Sequence, residues 1–166
     1  MNNILNFFYF FSILTLDQLS KYWVHSSFVE GEPVAILPNF FNLTLVYNPG
    51  AAFGIFSGLP DTQRRVVLLG VSVLALLVVV RLLLTDAKDD KYSQFALLGI
   101  LAGALGNIID RFRFDRVVDF LDFYWGSYHW PAFNVADSAI SVGVAILIIR
   151  MTCIRSQISG KHSQGI

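Results

Sequence analysis

Charge is what this chain has least of. Only 14% of its 166 residues are Asp, Glu, Lys or Arg, against about 25% in a soluble domain. The twelve basic and twelve acidic side chains cancel, and without a basic tract a nucleic-acid partner is excluded. Cysteine is almost missing too. Cys153 stands alone, so an internal disulfide and a cysteine-built metal cluster are both ruled out, and it reads as filler in an apolar run. His25, His129 and His162 show no His-Glu-x-x-His spacing, so zinc hydrolysis fits poorly and no metal is expected. A glycine-rich phosphate loop is also lacking, and no cofactor is expected. No internal repeat is evident.

What is present is apolar. Hydrophobic residues make up 55% of the chain and mean hydropathy is +0.59. This composition marks an integral membrane protein. Four apolar runs, at about 4–24, 66–84, 92–110 and 132–151, match the ~20 residues a bilayer helix needs. The stretch Ile4 to Leu16 within the first has no Lys or Arg before it and no small-x-small site after it; Asp17, Lys21 and Trp23 follow instead. It reads as a retained span, not a removable signal peptide. The expected fold is an all-α transmembrane bundle of four helices with a small extramembrane β-sheet, in one domain over 1–166.

The sheet is expected in the first loop, about 28–59. There Pro33, Pro38, Pro49, Gly31, Gly50, Gly54 and Gly58 argue against a long helix. Phe41, Leu43, Leu45 and Tyr47 alternate with Asn42, Thr44 and Val46, a period-two strand pattern. Asn48-Pro49-Gly50-Ala51-Ala52-Phe53-Gly54 then reads as a turn followed by small residues that admit close backbone approach. Asp61 or Thr62 is the expected N-cap of the second span, a lipid-facing helix without site residues. The second loop, Phe112 to Trp130, carries Phe123, Tyr124, Trp125, Tyr128 and Trp130, an aromatic belt of the kind found at membrane surfaces. The tail from Arg155 to Ile166 is polar and expected to be loose. Orientation is not legible from charge: Lys21, Arg64, Arg65, Arg111, Arg113 and Arg116 on one face balance Arg81, Lys88, Lys91, Arg150, Arg155 and Lys161 on the other.

An ionisable side chain at membrane depth is costly and marks a functional site by default. Asp119 follows the third run and Asp137 opens the fourth. Close carboxylates in a low-dielectric site cannot both ionise, so such a pair shares a proton and can serve as acid and base. The helix dipole favours Asp137 as the ionised member. Asp17 and Lys21 stand one turn apart and can pair, although Lys21 can equally snorkel to water. Gly99 and Gly103 form a small-xxx-small pair for close helix packing. Asn107, Asp110 and Arg111 form a polar stripe that either joins the site or marks the water boundary. Asn134, Asp137 and Ser141 share a face of the fourth span. A Ser20–Lys21 dyad is disfavoured, because adjacent helical residues point about 100° apart. These residues alone leave three readings open: a proteolytic dyad, a small proton-coupled carrier, or a structural pair in a non-enzymatic assembly factor.

Five ordered motifs narrow the choice. Asp17-Gln18-Leu19-Ser20-Lys21, the segment Asn48 to Gly54, Gly103-Ala104-Leu105-Gly106-Asn107-Ile108-Ile109-Asp110-Arg111, Val117-Val118-Asp119-Phe120 and Phe133-Asn134-Val135-Ala136-Asp137-Ser138 together resemble the bacterial lipoprotein signal peptidases, the signal peptidase II family. The resemblance implies a membrane aspartic endopeptidase that removes the signal peptide of a diacylglyceryl-modified prolipoprotein, cutting just before the lipidated cysteine. It implies Asp119 and Asp137 as the catalytic pair. Asn48, Gly103, Asn107, Arg111 and Asn134 would line the site, with Asp17 and Lys21 supporting it. It further implies a β-cradle in the first loop, residence in the inner membrane with both termini cytoplasmic, an active site near the outer face, contact with membrane lipid, and inhibition by globomycin. A monomer is expected. Asp122, three residues beyond Asp119, is the rival dyad member; the motif favours Asp119, and Asp122 is expected in water. Presenilin-type proteases carry a Gly-x-Gly-Asp motif that is missing here.

Overall fold

The computed structural model describes residues 3–50, 58–88 and 90–163. The stretch Ala51 to Gly54, read above as a close-approach segment, lies outside the described residues, as does the side chain of Cys153. Helix α1 (Asn3–Ser27) leads to strands β1 (Val34–Leu37) and β2 (Phe41–Asn48), then to helices α2 (Asp61–Leu84) and α3 (Lys91–Phe114). Strands β3 (Val117–Trp125) and β4 (Tyr128–His129) and helix α4 (Val135–Ser163) complete the chain.

Helix α3 is the hub, packing against α1, α2 and α4. Its glycines permit this. A Cβ on Gly103 would fall on the Ala136 carbonyl of α4, and one on Gly99 would lie 2.9 Å from the Tyr9 hydroxyl of α1. Gly143 answers from α4, where a Cβ would come within 2.7 Å of the Ala96 carbonyl. Backbones this close gain dispersion contacts that larger side chains would prevent, which is how apolar helices associate without a hydrophobic driving force. At the far end Arg150 of α4 pairs with Asp90, whose side chain also caps α3 by accepting from Tyr92 N at 3.1 Å.

Helices α2, α3 and the Val135–Thr152 part of α4 are each long and apolar enough to cross a membrane. α1 is 25 residues long and carries Asp17 and Lys21 inward, both buried. α2 buries only Leu68 and Val79, and turns Val66, Val71, Leu74 and Leu77 outward. An apolar helix with most of its surface turned outward suits a lipid surface. Two boundaries differ from the sequence reading. Pro60, not Asp61 or Thr62, is the N-cap of α2, and no side chain caps it; Asp61 is the first helical residue and pairs with Arg64 one turn on. α4 continues to Ser163, through residues read as a loose tail.

The sheet draws on both loops, not the first alone. Its four strands run antiparallel in the order β1-β2-β3-β4. Asp115 makes this possible: in left-handed backbone, φ 59°, it ends α3 and turns the chain back into β3, a conformation Asp tolerates better than most residues. Val118 N then donates to Asp110 Oδ2 at 3.1 Å, fastening β3 to α3. The aromatic belt is therefore partly strand: Phe123, Tyr124 and Trp125 end β3, and Tyr128 lies in β4. A bulge between Leu43 and Val46 also breaks the alternation expected in β2. Thr44 and Leu45, consecutive residues, are both buried as a result, and Val46 is exposed. Leu45 joins Val24, Val118 and Phe120 in the cluster that seats the sheet on the end of α1.

Candidate active site

The site rests on a buried ion cluster. Lys21 Nζ lies 2.9 Å from Asp17 Oδ2 and 2.9 Å from Asp110 Oδ2, and donates to Asn107 Oδ1 at 2.8 Å. It is 3% exposed, so it does not snorkel. Asp110 is 1% exposed, so it does not mark the water boundary. Burying charges is tolerable only when partners satisfy them, and here they do. Gln18 Nε2 bridges Asp17 Oδ2, Asp110 Oδ1 and the Gly106 carbonyl at 3.1–3.2 Å. Asp17 Oδ1 takes the Ala136 N–H at 2.9 Å, filling one of the unpaired donors at the start of α4.

The first turn of α4 closes on itself. Asn134 Oδ1 accepts from Asp137 N at 2.9 Å, and Asp137 Oδ2 accepts from Asn134 N at 3.3 Å. This is a reciprocal capping box built from Asn and Asp. It fixes the Asp137 side chain at the helix mouth. Asn134 Nδ2 in turn donates to Asp119 Oδ1 at 2.7 Å, and Asn48 Nδ2 donates to Asp119 Oδ2 at 3.0 Å. Asn107 Nδ2 donates to Asp137 Oδ1 at 2.7 Å. Asp119, from β3, and Asp137, from α4, are thus joined through two amides, Asn134 and Asn107, which touch each other at 3.3 Å.

Both carboxylates line one cavity of about 570 Å³ between the sheet and the α3–α4 mouth. Asn48, Asn107 and Arg111 line it as well, and Trp130, Phe133 and Val142 give it apolar walls. Arg111 donates to the Asn107 carbonyl at 3.4 Å, and its charge interacts with those of Asp137 and Asp119. Asp119 is 2% exposed. Burial, and then the negative charge of Asp137, push its carboxyl up to about 7, against the opposing pull of the Asn48 and Asn134 N–H groups. Near neutral pH it therefore carries a proton for much of the time. Two carboxyls so placed in a single cavity can serve as an acid and a base. Among the described residues, no cluster of His, Cys, Asp and Glu is arranged to hold a metal ion.

All nine residues named from the sequence fall in this assembly, Gly103 as the backbone contact that brings α4 against α3. One further member, Gln18, was missed, and Asp110, left open above between the site and the water boundary, joins it. Gln18 and Asp110 complete the ion cluster; the signal was a run of polar residues one turn apart inside apolar spans. Asp122 departs from expectation: it is 7% exposed, not in water. Strand alternation turns it away from Asp119, where it accepts from Asn42 Nδ2 at 2.9 Å and meets His129 Nδ1 at 2.8 Å. Asp122→Asn should retain most activity and lose about 1 kcal/mol of stability, one net hydrogen bond; thermal melts and cleavage assays on the variant check both.

The geometry has counterparts among known proteins. Residues 9–153 match the family model described as signal peptidase (SPase) II. The chain belongs to the signal peptidase II family. A lipoprotein signal peptidase from Desulforapulum autotrophicum is 48% identical over 136 residues, covering 82% of this chain and 84% of that protein. One from Hydrogenovibrio crunogenus is 49% identical over 140 residues, 82% of this chain and 78% of its own. A solved bacterial membrane enzyme superposes with TM-score 0.85 at 31% identity, over 94% of this chain and 92% of that one. Signal peptidase II proteins are membrane aspartic peptidases, so the chain is an enzyme. The carrier and assembly-factor readings are set aside.

Proposed function

We propose that the chain removes signal peptides from diacylglyceryl-modified prolipoproteins, cutting just before the lipidated cysteine, with Asp119 and Asp137 as the reacting pair. One observation carries this: carboxylates from two separate elements meet across a chain of amides in a cavity at the junction of sheet and bundle. A lipidated substrate keeps its acyl chains in the bilayer, so its scissile bond is held at that level. Ionised Asp137 takes a proton from water as the oxygen attacks the peptide carbonyl, while protonated Asp119 donates to the carbonyl oxygen. Collapse of the tetrahedral intermediate breaks the C–N bond, and the departing amine takes the proton from Asp137. Asp119 recovers its own proton from the intermediate's hydroxyl. Asn48, Asn107 and Asn134 hold the pair in place, Arg111 balances its charge, Gly103 sets the α3–α4 spacing, and Asp17 and Lys21 brace it from below.

On this reading all four helices span the inner membrane and the sheet is a cradle on its outer face. Supporting it, the C-terminal ends of α1 and α3 and the start of α4 meet the sheet, whereas the start of α1 and the far end of α4 lie toward the opposite end, which this reading takes as the cytoplasmic one. The protein acts as a single domain and as a monomer in lipid. Globomycin is the expected inhibitor. The test is incubation of purified protein with a diacylglyceryl prolipoprotein, with and without globomycin, and mass mapping of the cut. Intact substrate, or a cut away from the lipidated cysteine, counts against the reading.

A pH dependence follows. The acid role needs neutral Asp119, which is present below its pKa and lost above it. The cleavage rate should therefore fall on the alkaline side with an apparent pKa near 7, a value belonging to the pair. A rate flat from pH 6 to pH 9 would remove Asp119 from the acid role.

A further inference from the structure

Lys21 makes three short contacts, and every partner is an oxygen: Asp17 Oδ2 and Asp110 Oδ2 at 2.9 Å and Asn107 Oδ1 at 2.8 Å. An ammonium carries three donors and no acceptor, so the set is complete. A primary amide has two unlike ends, and its neighbours decide which way it faces. Turning the NH₂ end of Asn107 toward Lys21 would set donor against donor, where the lysine is 3% and the asparagine 7% exposed. An unpaired polar group is expensive there. The carbonyl end is therefore fixed on Lys21, and Asn134 Nδ2 donates to the same oxygen. The NH₂ end is left for Asp137, at 2.7 Å.

We propose that Lys21 is a positioning residue of the reaction: by donating to Asn107 it fixes the direction of that amide, and the N–H so aimed keeps Asp137 an acceptor, the ionised member of the pair. This rests on the reading of Asp119 and Asp137 as the reacting groups. Lys21 makes no hydrogen bond to either, and its charge is the smallest of the influences on Asp119, so its larger effect passes through Asn107. Among the described residues, the charged groups facing the pair are Asp17 and Lys21 from α1 and Asp110 and Arg111 from α3; β2 contributes the neutral Asn48. Because Asp17 and Asp110 already pair with Lys21, its charge is largely spent beside it. The direction of the amide is the larger lever. A side chain at position 21 with an acceptor of its own removes the shorter of the two holds on that oxygen. Only the 3.3 Å contact from Asn134 Nδ2 is left, and that group has shorter bonds to Val118 O and Asp119. Asn107 can then turn its carbonyl to Asp137, and only a protonated Asp137 can donate to that carbonyl.

The experiment compares wild type, Lys21→Gln and Lys21→Arg in lipid, recording kcat, KM and rate against pH on a diacylglyceryl prolipoprotein, with melting temperature as the folding readout. Lys21→Gln should lose about 10-fold or more in kcat at neutral pH, a partial loss of the ~10²–10⁴-fold that a positioned general base contributes. Its KM should stay within about two-fold, and its acidic limb should move to higher pH. Lys21→Arg, again donor-only, should leave that limb where wild type has it. A folded Lys21→Gln protein with the wild-type profile overturns the proposal. So does loss of activity that tracks loss of melting temperature in both variants with no displaced limb. If Lys21→Gln does not accumulate, Asp110→Asn/Lys21→Gln, which removes the surplus buried charge, takes its place under the same criteria; if neither folds, Lys21 is structural and the proposal falls. Failure of the dyad reading would show separately, as cleavage that survives Asp119→Asn or Asp137→Asn in the otherwise wild-type chain.

Discussion

Asp119→Asn and Asp137→Asn should each lower cleavage by about 10³–10⁴-fold while the protein still inserts and folds, a loss at the upper range of what one positioned acid or base contributes. The two losses have different origins. Asn at 137 keeps an oxygen for the Asn107 N–H, but a neutral amide is too weak a base to take a proton from water. Asn at 119 keeps its volume and an N–H that can polarise a carbonyl, yet it cannot release a proton to the oxygen of the intermediate. It also has one acceptor where Asp119 has two, and both Asn48 and Asn134 now donate there. One of those amides must turn. Asn at 137 meets the same shortage, since Asn107 Nδ2 and the Asn134 backbone N–H donate to the two oxygens of Asp137, so neither variant is structurally silent. The loss of charge at 119 costs little, because Asp119 is already pushed up to about 7 and is neutral for much of its population. The double variant should be hardly worse than either single one, since the two groups act as a unit. Single-turnover cleavage with melting curves in the same detergent measures both. Residual activity within about 10-fold of wild type in either variant would remove that residue from the reaction.

Asp119 also marks where sequence and structure part. The helices were legible because twenty apolar residues in a row have few alternatives. Asp137 was legible for a related reason, a carboxylate in the first turn of such a run. Asp119 was found by motif, not by chemistry: its strand pairs with β2 across a gap of some eighty residues, Asn42 with Asp122, and no local pattern encodes such a partner. The aromatic run Phe123 to Trp130 fits a strand end and an interface belt equally well, so β3 and β4 went unread. Asp122 was misplaced on the same account, since without the strand there was no pleat to turn it inward. Lys21 and Asp110 were ambiguous because snorkelling and burial look alike in one dimension; what decides is three oxygens converging from α1 and α3.

Gly103→Ala should be the most damaging change outside the carboxylates. A Cβ there falls on the Ala136 carbonyl oxygen and 2.9 Å from Ile140 Cγ1. The carbonyl is helix backbone and cannot swing aside, so α3 and α4 must separate. Overpacking of this kind costs about 1–3 kcal/mol. The activity loss should exceed what that cost alone explains. Asn107 lies one turn along α3 from Gly103, and its contact with Asp137, at 2.7 Å, crosses the same seam. So does the 2.9 Å bond from Ala136 N to Asp17, which holds the start of α4. A shift of about 1 Å between reacting groups can cost 10²-fold in rate, so cleavage should fall about 100-fold while a good part of the protein remains folded. Gly70→Ala supplies the control. It sits in α2 with nothing within 4 Å of an added Cβ, where Ala should leave cleavage unchanged and stabilise the helix by up to about 1 kcal/mol. If Gly103→Ala proved as neutral as Gly70→Ala in melting and in turnover, the α3–α4 seam would not be what sets the distance between the amides and Asp137.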